Sequence, residues 1–188
     1  MESFEQVCRV ALEAEGFAVS GNVKFFVKRR TKRKDRVEYQ THGYEVDLVG
    51  ARSGRLVLAE VKSFLGSGGV SRNDFSGLAG KAGGGRQSQY KLFNDAEIRA
   101  SVVKQARELY RYKAREVRMR LYVGRFAGGH EDDVRRHLKK FKNPRVEVIG
   151  LDKIIGQLID QAESRSYLDD PVLVTVKALA AANRLTPR

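Results

Sequence analysis

Residues 41–64, THGYEVDLVGARSGRLVLAEVKSF, constrain the fold more than any other segment: two runs rich in Val and Leu flank Ser53 and Gly54. Runs of this length bounded by a Ser-Gly pair predict two antiparallel strands joined by a tight turn. The strands are apolar enough for the interior of a sheet, yet they carry Asp47, Glu60 and Lys62. Side chains alternate across a sheet, so Glu60 and Lys62 share one face while Val61 takes the other. Pairing about the turn brings Asp47 close to Glu60. Two carboxylates and an ammonium are therefore expected in one patch at the edge of an apolar sheet.

The flanking segments predict an α/β fold. ESFEQVCRVALEAE, residues 2–15, places Phe4, Val7, Cys8, Ala11 and Leu12 on one helical face, with Gly16 as its stop. A short strand at 17–20 and a basic hairpin at about 23–42, its tip near 31–35, lead into the central pair. Residues 65–88 are so rich in glycine that they predict a mobile loop which does not pack. Further on, DAEIRASVVKQARELYRYKA predicts a helix, EVRMRLYVGRF a strand, HEDDVRRHLKKF a helix and RVEVIG a strand. Helices complete the chain as an extension at 151–183. The alternation predicts one domain over 1–188, a central mixed sheet flanked by helices.

Charge narrows the partners. The 188 residues carry a formal net charge of +13, and residues 24–36, KFFVKRRTKRKDR, hold eight Lys or Arg against one Asp. A basic ribbon suits a polyanion, and DNA fits better than a membrane because no long basic amphipathic helix is present. Lys28, Arg29, Arg30, Lys32, Arg33 and Lys34 are the expected phosphate contacts, joined by Arg72, Lys81 and Arg86 of the Gly-rich loop. That loop is expected to close over bound substrate. No apolar run is long enough to span a bilayer. No secretory leader is recognisable, and Cys8 is the only cysteine, so a reducing, cytoplasmic setting is expected.

The chemistry follows from the patch. Like charges held together out of water repel unless compensated, and a divalent cation compensates both. Asp47 and Glu60 offer hard oxygen ligands suited to Mg²⁺ or Mn²⁺, with the main-chain carbonyl of Val61 as a further oxygen. Lys62 beside the ion is placed to orient or help deprotonate an attacking water and to offset transition-state charge. Metal-assisted hydrolysis of a phosphodiester fits these groups.

Asp47 followed by EVK in a β-hairpin, with a Glu-bearing helix upstream, resembles the PD-(D/E)XK nuclease superfamily, which includes many restriction endonucleases and the archaeal Holliday junction resolvases. The resemblance covers residues 1–64, and the downstream helix suits the family's αβββαβ core. It implies a restriction-endonuclease-like fold, with Asp47, Glu60 and Lys62 catalytic and Glu5 completing the metal site. Val46 stands where the family often has Pro. Gln105 and Tyr110 are similar to a Gln and a Tyr of some branches, at a spacing one residue longer. The resemblance also implies a homodimer, and the absence of a separate recognition domain favours a structure-selective or sequence-tolerant DNA endonuclease in repair, recombination or restriction. Two rivals stand beside it: a noncatalytic DNA-binding protein that keeps the fold, and an RNA-directed nuclease.

Other motifs carry less. AGKAGGGR is not a phosphate-binding loop, because Ala82 follows Lys81 and Phe75 occupies the upstream glycine position. His130 and His137 fall on an ordinary dipolar helix. His42, just before the Asp47 strand, is a supporting candidate for phosphate contact.

Overall fold

Helix α1, Ser3–Ala14, begins with a capping box between Glu2 and Glu5 and buries Phe4, Cys8, Val10, Ala11 and Leu12. Gly16 adopts φ +81° just beyond it, a conformation that glycine alone takes without strain, so the chain reverses there as expected. The structure, a computed structural model, describes residues 2–33, 36–78, 86–164 and 169–182, and their side chains except at 31–33 and 36–38.

Five strands follow: β1 (Ala18–Arg33), β2 (Arg36–Arg52), β3 (Arg55–Lys62), β4 (Val117–Val123) and β5 (Arg145–Gly150). They form one sheet in the order β1-β2-β3-β4-β5. The first three are antiparallel, with Arg52 opposite Arg55 across the Ser53-Gly54 turn, and β3, β4 and β5 are parallel. The fold is thus α/β with a mixed open sheet flanked by helices. The separate short strand expected at 17–20 does not exist as such. It runs unbroken into the basic hairpin, as does the Asp47 strand, because neither passage contains a turn signal strong enough to end pairing. The hairpin is therefore an outward extension of core strands, with Arg33 opposite Arg36 near its tip.

Between β3 and β4 lie a short helix α2 (Lys91–Asn94) and α3 (Ala96–Tyr110), and α4 (Glu131–Leu138) joins β4 to β5. Successive parallel crossovers share a hand, which puts their helices on one face. Ile98, Val102 and Ala106 of α3 and Val134 and Leu138 of α4 accordingly pack in one core with Phe25, Val27, Leu56, Leu58 and Met119. Helices α5 (Leu151–Glu163) and α6 (Pro171–Ala181) fall within the expected C-terminal extension. With α1 they cover the other face, over Leu48, Val57, Ala59 and Val61. Among the described residues no helix is long and apolar enough to cross a membrane.

The Gly-rich segment departs from expectation. Its middle is packed, with Val70 and Phe75 fully buried and Asp74 1 % exposed, while residues 65–68 are exposed. Val70 bonds through its N–H to Arg125 O at 2.8 Å and through its carbonyl to Ala127 N at 2.9 Å. At Gly69 and Gly77 glycine serves close approach. A Cβ at Gly69 would collide with the backbone of Phe126, and one at Gly77 with the His137 ring.

Candidate active site

The site forms where β2 and β3 part. Their pairing ends at Leu48 opposite Ala59, so Asp47 is the first β2 residue beyond the ladder. On its other side, Asn22 of β1 sits in the left-handed region at φ 53° between the pairs Gly21–Leu48 and Val23–Val46. The alternation slips there: Val46 and Val49 belong to one core although three residues apart, while Leu48 belongs to the other. Asp47 is thereby turned into the gap, where its Oδ2 accepts from the N–H of Val61 at 2.6 Å.

Glu60 and Lys62 project together from the end of β3, and Val61 faces the opposite core. The Lys62 Nζ lies 3.3 Å from Glu60 Oε2 and 4.0 Å from Asp47 Oδ2. Glu60 is 3 % exposed and also accepts, at Oε1, a hydrogen bond from the Tyr44 hydroxyl. The Tyr90 ring lies under Lys62, 5.6 Å from Nζ to its centre. Burial and then the charge of Glu60 push the Asp47 carboxyl up to about 7, against the pull of Lys62 and of the Val61 N–H. Burial, followed by the Glu60 charge, raises the Tyr44 hydroxyl too, so Tyr44 remains a donor.

Glu5 does not join this group. Helix α1 packs on the opposite face of the sheet, and the Glu5 carboxylate turns back to accept from Glu2 N–H at 3.0 Å. Its charge still reaches Asp47 as a minor contribution. Among the described residues, no group of three or more His, Cys, Asp or Glu side chains is placed to hold a metal. The two carboxylates that do meet satisfy the modest demand of Mg²⁺, which is commonly held by one or two carboxylates together with water and substrate phosphate. With one ammonium against two carboxylates, the patch keeps net negative charge for a cation to offset when both are ionised.

The remaining predicted residues are dispersed. Gln105 on α3 clasps the backbone of Phe26, accepting from its N–H at 3.2 Å and donating to its carbonyl at 2.9 Å. It ties α3 to the sheet edge and does not enter the site. Tyr110 packs half-buried against the α3 core. His42 is exposed and lines a cavity with Arg29, Tyr44 and Lys91. On the hairpin, Lys28 and Arg30 are exposed, while Arg29 pairs with Asp95. Arg72 pairs with Asp133 at 3.6 Å. Arg86 bonds Asp74 and the Gly69 carbonyl and lies 4.0 Å from the Phe64 ring centre, which makes it a brace within its own segment. The side chains of Lys32 and Arg33, and all of Lys34 and Lys81, lie outside the described residues.

Tyr44 and Tyr90 were not anticipated. Tyr44 left a trace, as a hydroxyl-bearing residue on the strand of Asp47; Tyr90, 28 residues beyond Lys62 in an irregular stretch, left none.

No family model matches the chain, and no curated protein matches it significantly. Among solved structures, the crystal structure of a protein of unknown function, AF1548, is similar at 11 % identity with a TM-score of 0.41, covering 96 % of this chain and 77 % of that chain.

Proposed function

We propose that this chain is a metal-dependent nuclease hydrolysing phosphodiester bonds in DNA, with α1, β1, β2, β3, α3 and β4 forming the αβββαβ core of the PD-(D/E)XK type. The observation that carries the proposal is the meeting of Asp47, Glu60 and Lys62 at the end of β3, with the Asp47 carboxyl raised to about 7 by burial and by Glu60. Nothing in the fold requires two carboxylates there, and their repulsion is a cost that a bound cation removes.

Asp47 and Glu60, with the Val61 carbonyl as a further oxygen, would hold Mg²⁺ or Mn²⁺, which would supply Lewis acidity to the reaction. Tyr44 orients Glu60 by donating to Oε1. Val61 N–H fixes the Asp47 carboxylate and leaves Oδ1 for another partner. Lys62 presents its ammonium beside both carboxylates, where it orients the attacking water and offsets charge on the phosphorane-like transition state. The exposed hairpin cations Lys28 and Arg30 hold the nucleic-acid backbone, and a homodimer brings two sites to two strands. Substrate choice is read as structure-selective or sequence-tolerant, in keeping with described residues that all build on one sheet.

Incubation with Mg²⁺ or Mn²⁺ and a panel of linear, circular, flapped, branched and single-stranded DNAs, with RNA counterparts, tests this proposal. Cleavage of at least one DNA by the wild type, lost in Lys62→Ala, is the expected result. DNA binding without cleavage under every condition favours the noncatalytic reading, and cleavage confined to RNA favours the RNA-directed one.

A further inference from the structure

The hairpin has two faces of different chemistry. Phe25 and Val27 point into the core, each 2 % exposed, while Lys24, Phe26, Lys28 and Arg30 point away from it. Directly opposed residues of an antiparallel pair share a side, so Glu45, Gly43, Thr41 and Tyr39 complete this outer face. Phe26 is 66 % and Tyr39 63 % exposed, and among the described residues they are the only aromatic side chains that stand so far into solvent. Two rings on the open face of a ribbon are costly for a hairpin whose only task is to offer charge to a phosphate backbone.

Their surroundings are organised. Lys28 Nζ lies 5.0 Å from the centre of the Tyr39 ring. Lys24 is loosely paired with Glu45 at 3.7 Å, and among the described residues Lys28 and Arg30 have no ion-pair partner. Phe26 faces Gly43, and a Cβ there would meet nothing within 4 Å, so the space beside the Phe26 ring is open. The ring's own backbone is pinned by Gln105, which takes both the N–H and the carbonyl that edge strand β1 would otherwise leave free. Tyr39 lies opposite Arg30, four residues along β1 from Phe26, which spaces the two rings by about 13 Å along the ribbon.

We propose that this outer face is a stacking platform for single-stranded DNA: Phe26 and Tyr39 each take an unpaired base, and Lys24, Lys28 and Arg30 hold the adjoining phosphates. A paired base keeps its faces inside the duplex stack, whereas an unpaired base offers a π-face to any exposed ring, and interleaved cations supply the backbone attraction. The platform rests on the nuclease reading only in making the bound strand the substrate, so that the enzyme favours DNA with unpaired segments. The face itself stands on the exposed rings and charges.

Fluorescence anisotropy in excess chelator, where no cleavage occurs, isolates the platform from the catalytic site. The probes are a labelled single-stranded DNA, the same sequence as a blunt duplex, and the same sequence as single-stranded RNA. The wild type is expected to bind the single-stranded DNA most tightly. Phe26→Ala and Tyr39→Ala are each expected to weaken it by about 5-fold or more, with duplex binding little changed, while Tyr39→Phe retains affinity. The aromatic variants keep the salt dependence of the wild type, because that slope counts phosphates, whereas a Lys28→Gln, Arg30→Gln variant flattens it. Equal or tighter duplex binding by the wild type, unchanged single-strand binding without the rings, or a preference for the RNA overturns the proposal. None of these results bears on Mg²⁺-dependent cleavage, and loss of cleavage leaves this binding measurement standing.

Discussion

The Asp47 carboxylate accepts the main-chain N–H of Val61 at 2.6 Å, one residue beyond the last pair of the β2–β3 ladder. A side chain thus takes the place of a ladder acceptor, which keeps an ionisable group in a sheet interior. In the unfolded chain Asp47 ionises near its ordinary value of 3.8; in the folded protein it does so at about 7. Between these values the folded state retains a proton that the unfolded state has lost, so stability falls as pH rises through that window.

Asp47→Asn carries no such titration. In chelator at pH 8 it is expected to be more stable than the wild type by about 1–3 kcal/mol, with the two nearly equal at pH 4. Urea denaturation at both pH values checks this, and a variant less stable at pH 8 contradicts it. Added Mg²⁺ is expected to raise wild-type stability at pH 8 and to leave the variant unchanged.

Tyr44 donates to Glu60 at Oε1, while Lys62 lies against Oε2. Tyr44→Phe leaves a buried carboxylate oxygen short of a donor, and an expected loss of about 1–3 kcal/mol in chemical denaturation follows. The Mg²⁺ concentration for half-maximal cleavage is expected to shift, since Glu60 is no longer oriented. If neither quantity moves, Tyr44 is not a positioning residue.

Arg120 pairs with Ala59 across β3 and β4 but shares the face of Tyr122, on the other side of the sheet from the Glu60 carboxylate. It is 3 % exposed and satisfied by Glu15, Glu147 and the Tyr122 hydroxyl. Removing one partner of a buried ionic network strands the others, so Arg120→Ala is expected to cost about 3–5 kcal/mol. Thermal and urea denaturation measure it, and the protein that remains folded is expected to keep its nucleic-acid affinity.

Hydrogen exchange reads the Gly-rich segment. The Val70 and Ala127 amides are expected to be protected in the free protein, because each bonds across the bridge between their two segments. Asp74→Ala, which removes the buried acceptor of Arg86 and of Ser71 N–H, is expected to speed that exchange. Fast exchange at Val70 in the wild type would restore the mobile loop that composition implies.

How much of this was legible depended on the range of the interactions. The central strand pair, its turn and the shared face of Glu60 and Lys62 follow from alternation and local turn chemistry, and the burial of Cys8 from the helical period of α1, and the structure places them so. The packed Gly-rich segment was not legible, because its partners Phe126 and His137 lie more than 45 residues downstream. Arg120 reads as an ordinary charge on a strand until Glu15, 105 residues away in sequence, meets it. Glu5 sits on the predicted helix, but an equally local rule, the capping box with Glu2, claims its carboxylate. The extension of β1 and β2 into one long ribbon was missed because charge, and not pairing, dominated the reading of residues 24–36.

The most direct test of the central claim is the single-turnover rate of Mg²⁺-dependent DNA cleavage, compared between the wild type and Asp47→Asn on the substrate that the wild type cuts best. The account predicts a fall of about 100-fold or more in the variant with DNA binding retained. Cleavage by Asp47→Asn at the wild-type rate, or equal wild-type cleavage in the presence of chelator, would contradict it.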